Sequence, residues 1–192
     1  QLQNAILAIS DANSQLAEQV ILGDQSIDAM EVDIDEACIL IIARRQPAAS
    51  DLRLVMMVTK AVNDLERIGD EARKIANHAI ILSEENDASA GYPEVRHIAT
   101  SVTNLLAHAL DAFARFDSDA AIRTIEEDKQ VDLDYKTALR EVATYMMEDP
   151  RSISRAINIL WVLRSLERIG DHAKNLCEQI VFVVKGKDIR HR

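Results

Sequence analysis

The chain has 192 residues, 48% of them hydrophobic and 28% charged, a balance that fits a folded protein with a real core and excludes a disordered one. Its formal net charge of −10 argues against a nucleic-acid backbone as ligand, because binding phosphates needs clustered Lys and Arg. Three Pro, five Gly and 4% aromatic residues leave little turn or strand chemistry, so the expected class is all-α.

In chain order, residues 1–22 read as a first helix closing at Gly23. The pattern is already under way at Gln1, so that helix is expected to begin before it. Ile27, Met30, Ile34, Ala37 and Ile41 step as one face of a second helix, which stops where Pro47 interrupts the pattern. A third follows with Val58, Ala61, Leu65, Ile68, Ala72, Ile75, Ala79 and Leu82 as an unbroken packing seam. The segment "SEENDASAGYP", polar and small, then divides the chain, and the boundary is placed between residues 88 and 89.

Beyond it, residues 93–115 form a fourth helix ending at "FDSD", and Val131, Tyr135, Ala138, Val142 and Tyr145 mark a fifth that stops near Pro150. The sixth carries Ile159, Val162, Leu166, Ile169, Ala173, Leu176, Ile180 and Val183, which is the third helix's seam displaced by 101 residues. "LERIGD" at residues 65–70 returns letter for letter at 166–171, so the chain is an internal duplication of three helices. Three-helix units of about 90 residues are near the lower size for an independent core, so residues 1–88 and 89–192 are expected to pack together.

Cys38 and Cys177 sit in apolar helical surroundings and read as reduced, buried thiols of a cytoplasmic protein. No run approaches the ~20 apolar residues of a membrane span, and the first residues lack a basic region followed by an apolar core.

Residues four apart on a helix lie on one face, and the repeat writes acidic residues at that spacing. Glu66 with Asp70 and Glu167 with Asp171 come from the hexapeptide, and Glu31 with Asp35 and Asp128 with Asp132 from the helices before it. Each like-charged pair destabilises a helix by roughly 0.2–0.5 kcal/mol, so the set has a purpose if a cation neutralises it. A solvated acidic face with Arg67 and Arg168 as local partners is the other reading, and the residues alone leave both open. All-oxygen donors favour hard ions such as Mg²⁺, Mn²⁺ or iron, and no Cys/His set for structural zinc is written. Gly69 and Gly170 read as close helix contacts sooner than as room for a ligand. "EVRH" gives one Glu-x-x-His, where di-iron bundles need two, and reads as a surface pair of Glu94 and His97. No nucleophile triad and no phosphate loop stands out.

"RRQPAASDLR" with "NDLERIGDEA", then "TYMMEDPR" with "LERIGDHAKN" and a closing "VKGKD", closely resemble the PhoU family, accessory proteins of the bacterial phosphate-specific transport system. The resemblance covers nearly the whole chain. It implies two three-helix bundles side by side, related by an internal pseudo-twofold. It further implies multinuclear metal binding at Glu31, Asp35, Glu66 and Asp70 in one bundle and at Asp128, Asp132, Glu167 and Asp171 in the other, with iron, zinc, manganese or magnesium as the ion. The implied role is regulatory and not enzymatic: restraint of phosphate uptake and repression of the phosphate-starvation response. The implied partners are the transporter's ATPase subunit and the sensor histidine kinase, which would bring the protein to the membrane indirectly, and a homodimer is expected. A carboxylate-bridged metalloenzyme of the bundle type is the alternative, disfavoured by the missing second Glu-x-x-His.

Overall fold

The computed structural model describes residues 1–84 and 92–186, which form six α-helices. They are α1 (Leu2–Ser10), α2 (Ser14–Arg45), α3 (Ser50–Ser83), α4 (Pro93–Arg115), α5 (Ser118–Glu148) and α6 (Ile153–Lys185), with a 3-10 turn at Pro150–Ser152 before α6. The boundary expected between residues 88 and 89 lies outside the described residues.

One expected boundary moves. The chain turns at residues 11–13, not at Gly23: Ala12 takes a left-handed φ of 50°, and the Asn13 side chain accepts the Leu16 N–H at 3.0 Å. Such a cap is worth about 1 kcal/mol. Gly23 instead lies inside α2, where a Cβ would collide with the side chain of Gln1. The remaining breaks follow the turn chemistry of the sequence. Gln46 enters the left-handed region just ahead of Pro47, Asp117 caps α5 by accepting the Asp119 and Ala120 N–H groups, Pro93 opens α4, and Gly186 closes α6 at φ 65°.

The central pair is α3 and α6, which make the most extensive helix contact in the molecule. Outside it α2 packs on α3 and α5 on α6, while α1 lies on α3, α4 lies on α6, and α1 meets α4. These are the expected tandem three-helix bundles. A single apolar core runs through both, because the seam residues of α3 and α6 are buried except for the half-buried Val58, Leu65 and Val183. A fully buried Leu or Ile such as Ile75, Leu166 or Leu176 contributes about 1.5–3 kcal/mol, so this seam dominates the stability of the pair.

Cross-contacts fix the sense of α3 against α6. Asp64 meets His172, Glu71 meets Arg168, and His78 meets Asn158, so the helices run antiparallel. Displacing the first contact by the repeat gives Ser165 with Glu71, and that hydrogen bond is also present. The repeat therefore exchanges the two helices about a point between Ile68 and Ile169, in the middle of the two hexapeptides.

The seam expected for α2 is not buried. Ile27 is half-buried, but Met30, Ile34, Ala37 and Ile41 face outward. The reason is length: α1 accompanies α2 only as far as Gly23, whereas α4 runs 23 residues along the second bundle. Past Gly23, α2 rests on α3 alone and buries only Asp24 and Cys38. Both cysteines are free and buried, as expected, and burial pushes the Cys177 thiol up to about 12.

Candidate metal sites between the long helices

Helix α2 runs antiparallel to α3. Asp24 pairs with Arg73, Ile27 lies against Gly69, and Glu31 stands near enough to Glu66 to perturb it. The carboxylates of Asp70, Glu31 and Asp28 lie near enough to Glu66 for their charges to act on it. Burial raises the Glu66 carboxyl most, repulsion from Asp70, Glu31 and Asp28 raises it further, and Arg67 opposes. Asp24 is likewise raised, first by burial, against the pull of Arg73 and with Asp28 and Asp70 adding repulsion. Burial would raise Asp70 too, but the hydrogen bond and charge of Arg73, with Arg67 and Lys74, win and lower it.

The second bundle repeats the arrangement. Burial raises Glu167 above the usual carboxylate range, with Asp171 and Asp132 adding repulsion against Arg164 and Arg168. Asp171 is raised by desolvation and by Asp128 and Asp132, against Lys174 and Arg164. Arg164 donates to both oxygens of Glu167 at 2.8 Å, and Lys174 reaches the buried Asp128 at 3.1 Å.

The glycines show which residues correspond. A Cβ on Gly69 would stand 3.0 Å from Ile27 and 3.2 Å from Asp24, and one on Gly170 would stand 3.3 Å from Val131 and 3.4 Å from Asp128. Arg73 and Lys174, repeat-mates on α3 and α6, pair with Asp24 and Asp128. The counterparts of Asp128 and Asp132 are therefore Asp24 and Asp28. Sequence reasoning chose Glu31 and Asp35. The structure brings Glu31 to Glu66, but sets Asp35 a turn further along, in a hollow with Thr59, Lys60, Asn63 and Asp64. The missed signal was the proline that ends each helix: Asp24 and Asp128 stand 23 and 22 positions before Pro47 and Pro150. The glycines make the close helix contacts expected of them, and a carboxylate lies against each.

Among the described residues, no three carboxylate, imidazole or thiol groups converge closely enough to chelate an ion as they stand; basic side chains lie between them instead. Arg73 bridges Asp24 and Asp70, and Arg67 bridges Glu66 and Asp70. The donor set nevertheless fits a hard cation. It is all oxygen, its members raise one another's pKa, and Glu66 Oε2, buried and accepting no well-aligned hydrogen bond, is met only by the Arg67 guanidinium at 3.1 Å.

The Glu94 and His97 pair departs from its expected surface position. Glu94 is buried, its carboxyl raised chiefly by that burial, and its Oε2 finds no hydrogen bond, while His97 is exposed and approaches Asp134 at 3.4 Å. Sequence reasoning also passed over Asp64, which is buried at the contact of α3 and α6. It faces the His172 ring nitrogen at 2.8 Å and accepts from the side-chain amides of Asn175 at 3.1 Å and Gln179 at 2.6 Å. No described helix is long and apolar enough to cross a membrane.

Duplicated three-helix units whose central helices pack about an internal two-fold, with matching carboxylates between each central helix and its flanking one, define a tandem-repeat all-α class. Residues 1–79 and 95–180 match the PhoU domain, and the chain belongs to the PhoU family. It is 58% identical over 191 residues to the phosphate-specific transport system accessory protein PhoU homolog of Pseudomonas aeruginosa, covering all of this chain and 79% of that protein. The crystal structure of PhoU from Pseudomonas aeruginosa superposes with a TM-score of 0.94 at 58% identity, over 97% of this chain and 90% of that one. The phosphate transport system regulatory protein PhoU from Streptococcus pneumoniae gives 0.89 at 27% identity, over 98% and 88%. These relatives carry accessory and regulatory names, not those of enzymes.

Proposed function

We propose that this chain is a regulatory accessory protein of phosphate transport that uses its paired carboxylates to bind metal. Identity of 58% along its full length to an accessory protein of the phosphate-specific transport system is the observation that carries the transport role. In this reading the protein restrains the phosphate-specific ABC transporter through its ATPase subunit and keeps the phosphate-starvation response off through the sensor histidine kinase. It acts in the cytoplasm as a homodimer and reaches the membrane only through those partners.

Metal would be held by Glu66 and Asp70 with Asp24, Asp28 and Glu31 in the first bundle, and by Glu167, Asp171, Asp128 and Asp132 in the second. Asp35 would join only by a change of position. Magnesium, manganese, iron and zinc are the candidate ions. Bound metal would neutralise carboxylates that repel one another across α2 and α3 and across α5 and α6, and so tighten each bundle. Expression of the chain in a strain lacking its own copy tests the role: starvation-induced genes should return to repression in phosphate-rich medium. Persistent induction with the protein present at normal level would overturn the assignment.

A further inference from the structure

The face of the central pair opposite α1 and α4 has a pattern that the duplication explains. On α3, positions 52, 56, 60, 67, 74 and 81 fall on one side of the helix by their spacing, and their repeat-mates do so on α6. Leu52, Met56 and Ile81 have Ile153, Ile157 and Phe182 as mates, and all six are 36–47% exposed. Apolar side chains of this size, exposed in matched pairs, are not the scattered exposure that any surface shows. Because α3 and α6 are antiparallel, Phe182 joins Leu52 and Met56 at one end around an apolar hollow of about 230 Å³. At the other end, the register that pairs His78 with Asn158 sets Ile81 near Ile153 and Ile157. The two patches stand about 40 Å apart, from the 1.5 Å rise per residue between the middle of the first patch and Ile81.

Between them the face is cationic in a chain of net charge −10. In the ion pairs of Arg67, Lys74, Arg164, Arg168 and Lys174, the basic side chain is 36–51% exposed and its carboxylate only 5–17%. A partner meets mainly ammonium and guanidinium along these pairs, with Asp171 and Glu126 exposed beside them in the same hollow. Lys60 extends the stripe toward the first patch.

We propose that this face is the docking surface for a two-fold-symmetric protein pair whose own surface is acidic and presents one apolar contact per subunit. Two equivalent patches about an internal two-fold match a partner that offers the same feature twice. A second copy of this chain is disfavoured on this face, since two cationic stripes would oppose each other. The inference rests on the transport role proposed above for the choice of probe, the ATPase subunit of the phosphate-specific transporter, which an ABC transporter carries as a pair.

Binding of purified ATPase subunit to the full chain, measured by calorimetry, decides it. Expected are one ATPase pair for each chain of the homodimer, weakening of at least tenfold in both Met56→Glu and Ile157→Glu, and loss of detectable binding in the double variant. Lys60→Glu should weaken binding and reduce its salt dependence, and Leu133→Glu on the outside of α5 should bind as the parent does. All substituted side chains are exposed, and unchanged melting curves confirm folding. Parent-like binding by both single variants, or loss in one only, overturns the symmetric docking and leaves the transport role intact. A parent chain that restores repression in cells but does not bind the ATPase also overturns the docking. A parent that does neither overturns the transport role as well.

Discussion

Glu167→Gln with Asp171→Asn removes two negative charges from the second carboxylate cluster while keeping its shape. Without metal, the change has small terms of both signs. Relief of the four-apart repulsion returns roughly 0.2–0.5 kcal/mol, and relief against Asp132 and Asp128 adds a similar amount. Loss of the half-exposed Arg164 to Glu167 pair costs up to about 1 kcal/mol. The net therefore stays within about 1 kcal/mol, or roughly 2–4 °C in melting temperature for a chain of this length. With metal the expectation is larger. A site filled at a hundred times its dissociation constant stabilises the fold by about 2.7 kcal/mol, which is roughly 5–10 °C. The assay is melting by circular dichroism in chelator and in each of Mg²⁺, Mn²⁺, Fe²⁺ and Zn²⁺, with metal content of the dialysed protein measured in parallel. The variant should lose the metal-dependent rise contributed by its bundle, and Glu66→Gln with Asp70→Asn the rise contributed by the other. An undiminished rise and unchanged metal content in both double variants would refute the metal reading and leave solvated acidic faces.

Asp24→Asn should lower metal content in the first bundle as much as Asp128→Asn does in the second, whereas Asp35→Asn should leave it near the parent level; equal loss from Asp24→Asn and Asp35→Asn would contradict the correspondence drawn from the glycines. In chelator, stability should rise as pH falls from 7 toward about 5, because Glu66, Glu167 and Asp171 have pKa values raised by burial and mutual repulsion, so the folded state binds protons that the unfolded chain does not. Below about pH 4 the trend should reverse as Asp70 and Glu71, whose pKa values are lowered by basic partners, lose those pairs; a melting temperature that falls steadily from pH 7 would refute the assignment. Asp64→Ala leaves the side chains of His172, Asn175 and Gln179 without their acceptor and should cost about 1–3 kcal/mol, read as a lower midpoint in urea at unchanged slope.

The architecture was legible because the duplicated seam of α3 and α6 is a strong periodic signal, carried by residues that the fold buries. The breaks at Pro47, at "FDSD" and at Pro150 were legible for a different reason, since each acts through local backbone chemistry. The first turn was not, because Gly23 is small for the sake of a neighbour, Gln1, and not for its own backbone angles, whereas the true turn places an alanine at positive φ. The acidic sites were half legible. Pairs on a single helix show in the spacing, but which pair faces which depends on the register between helices, and the two bundles differ there. Asp24 precedes Gly69 by 45 positions and Asp128 precedes Gly170 by 42, so the offset of 101 does not carry over to the flanking helices, and the pair chosen by its acidic spacing, Glu31 with Asp35, lies about two turns past Asp24 and Asp28. Asp64 was invisible for a related reason, since its partners lie more than a hundred residues away.

The hexapeptide is repeated because its residues serve three contacts at once, and each needs a different side of the helix. Ile68 and Ile169 lie nearest the point about which α3 and α6 exchange, and both are buried there. One residue on, Gly69 and Gly170 let α2 and α5 approach closely enough for Asp24 and Asp128 to touch the backbone. Glu66, Asp70, Glu167 and Asp171 then point toward those flanking helices, and Arg67 and Arg168 emerge on the open face between them. Substitution at any one of these positions would disturb a different interface, which accounts for the two copies being identical here while the rest of the repeat mainly shares its apolar pattern. Exact symmetry fails one turn away. Asp64 faces an imidazole and two amides, but its mate Ser165 faces Glu71, which Lys74 and Arg168 already hold. The two halves thus share one frame, while the polar network at one end of the central contact differs from that at the other.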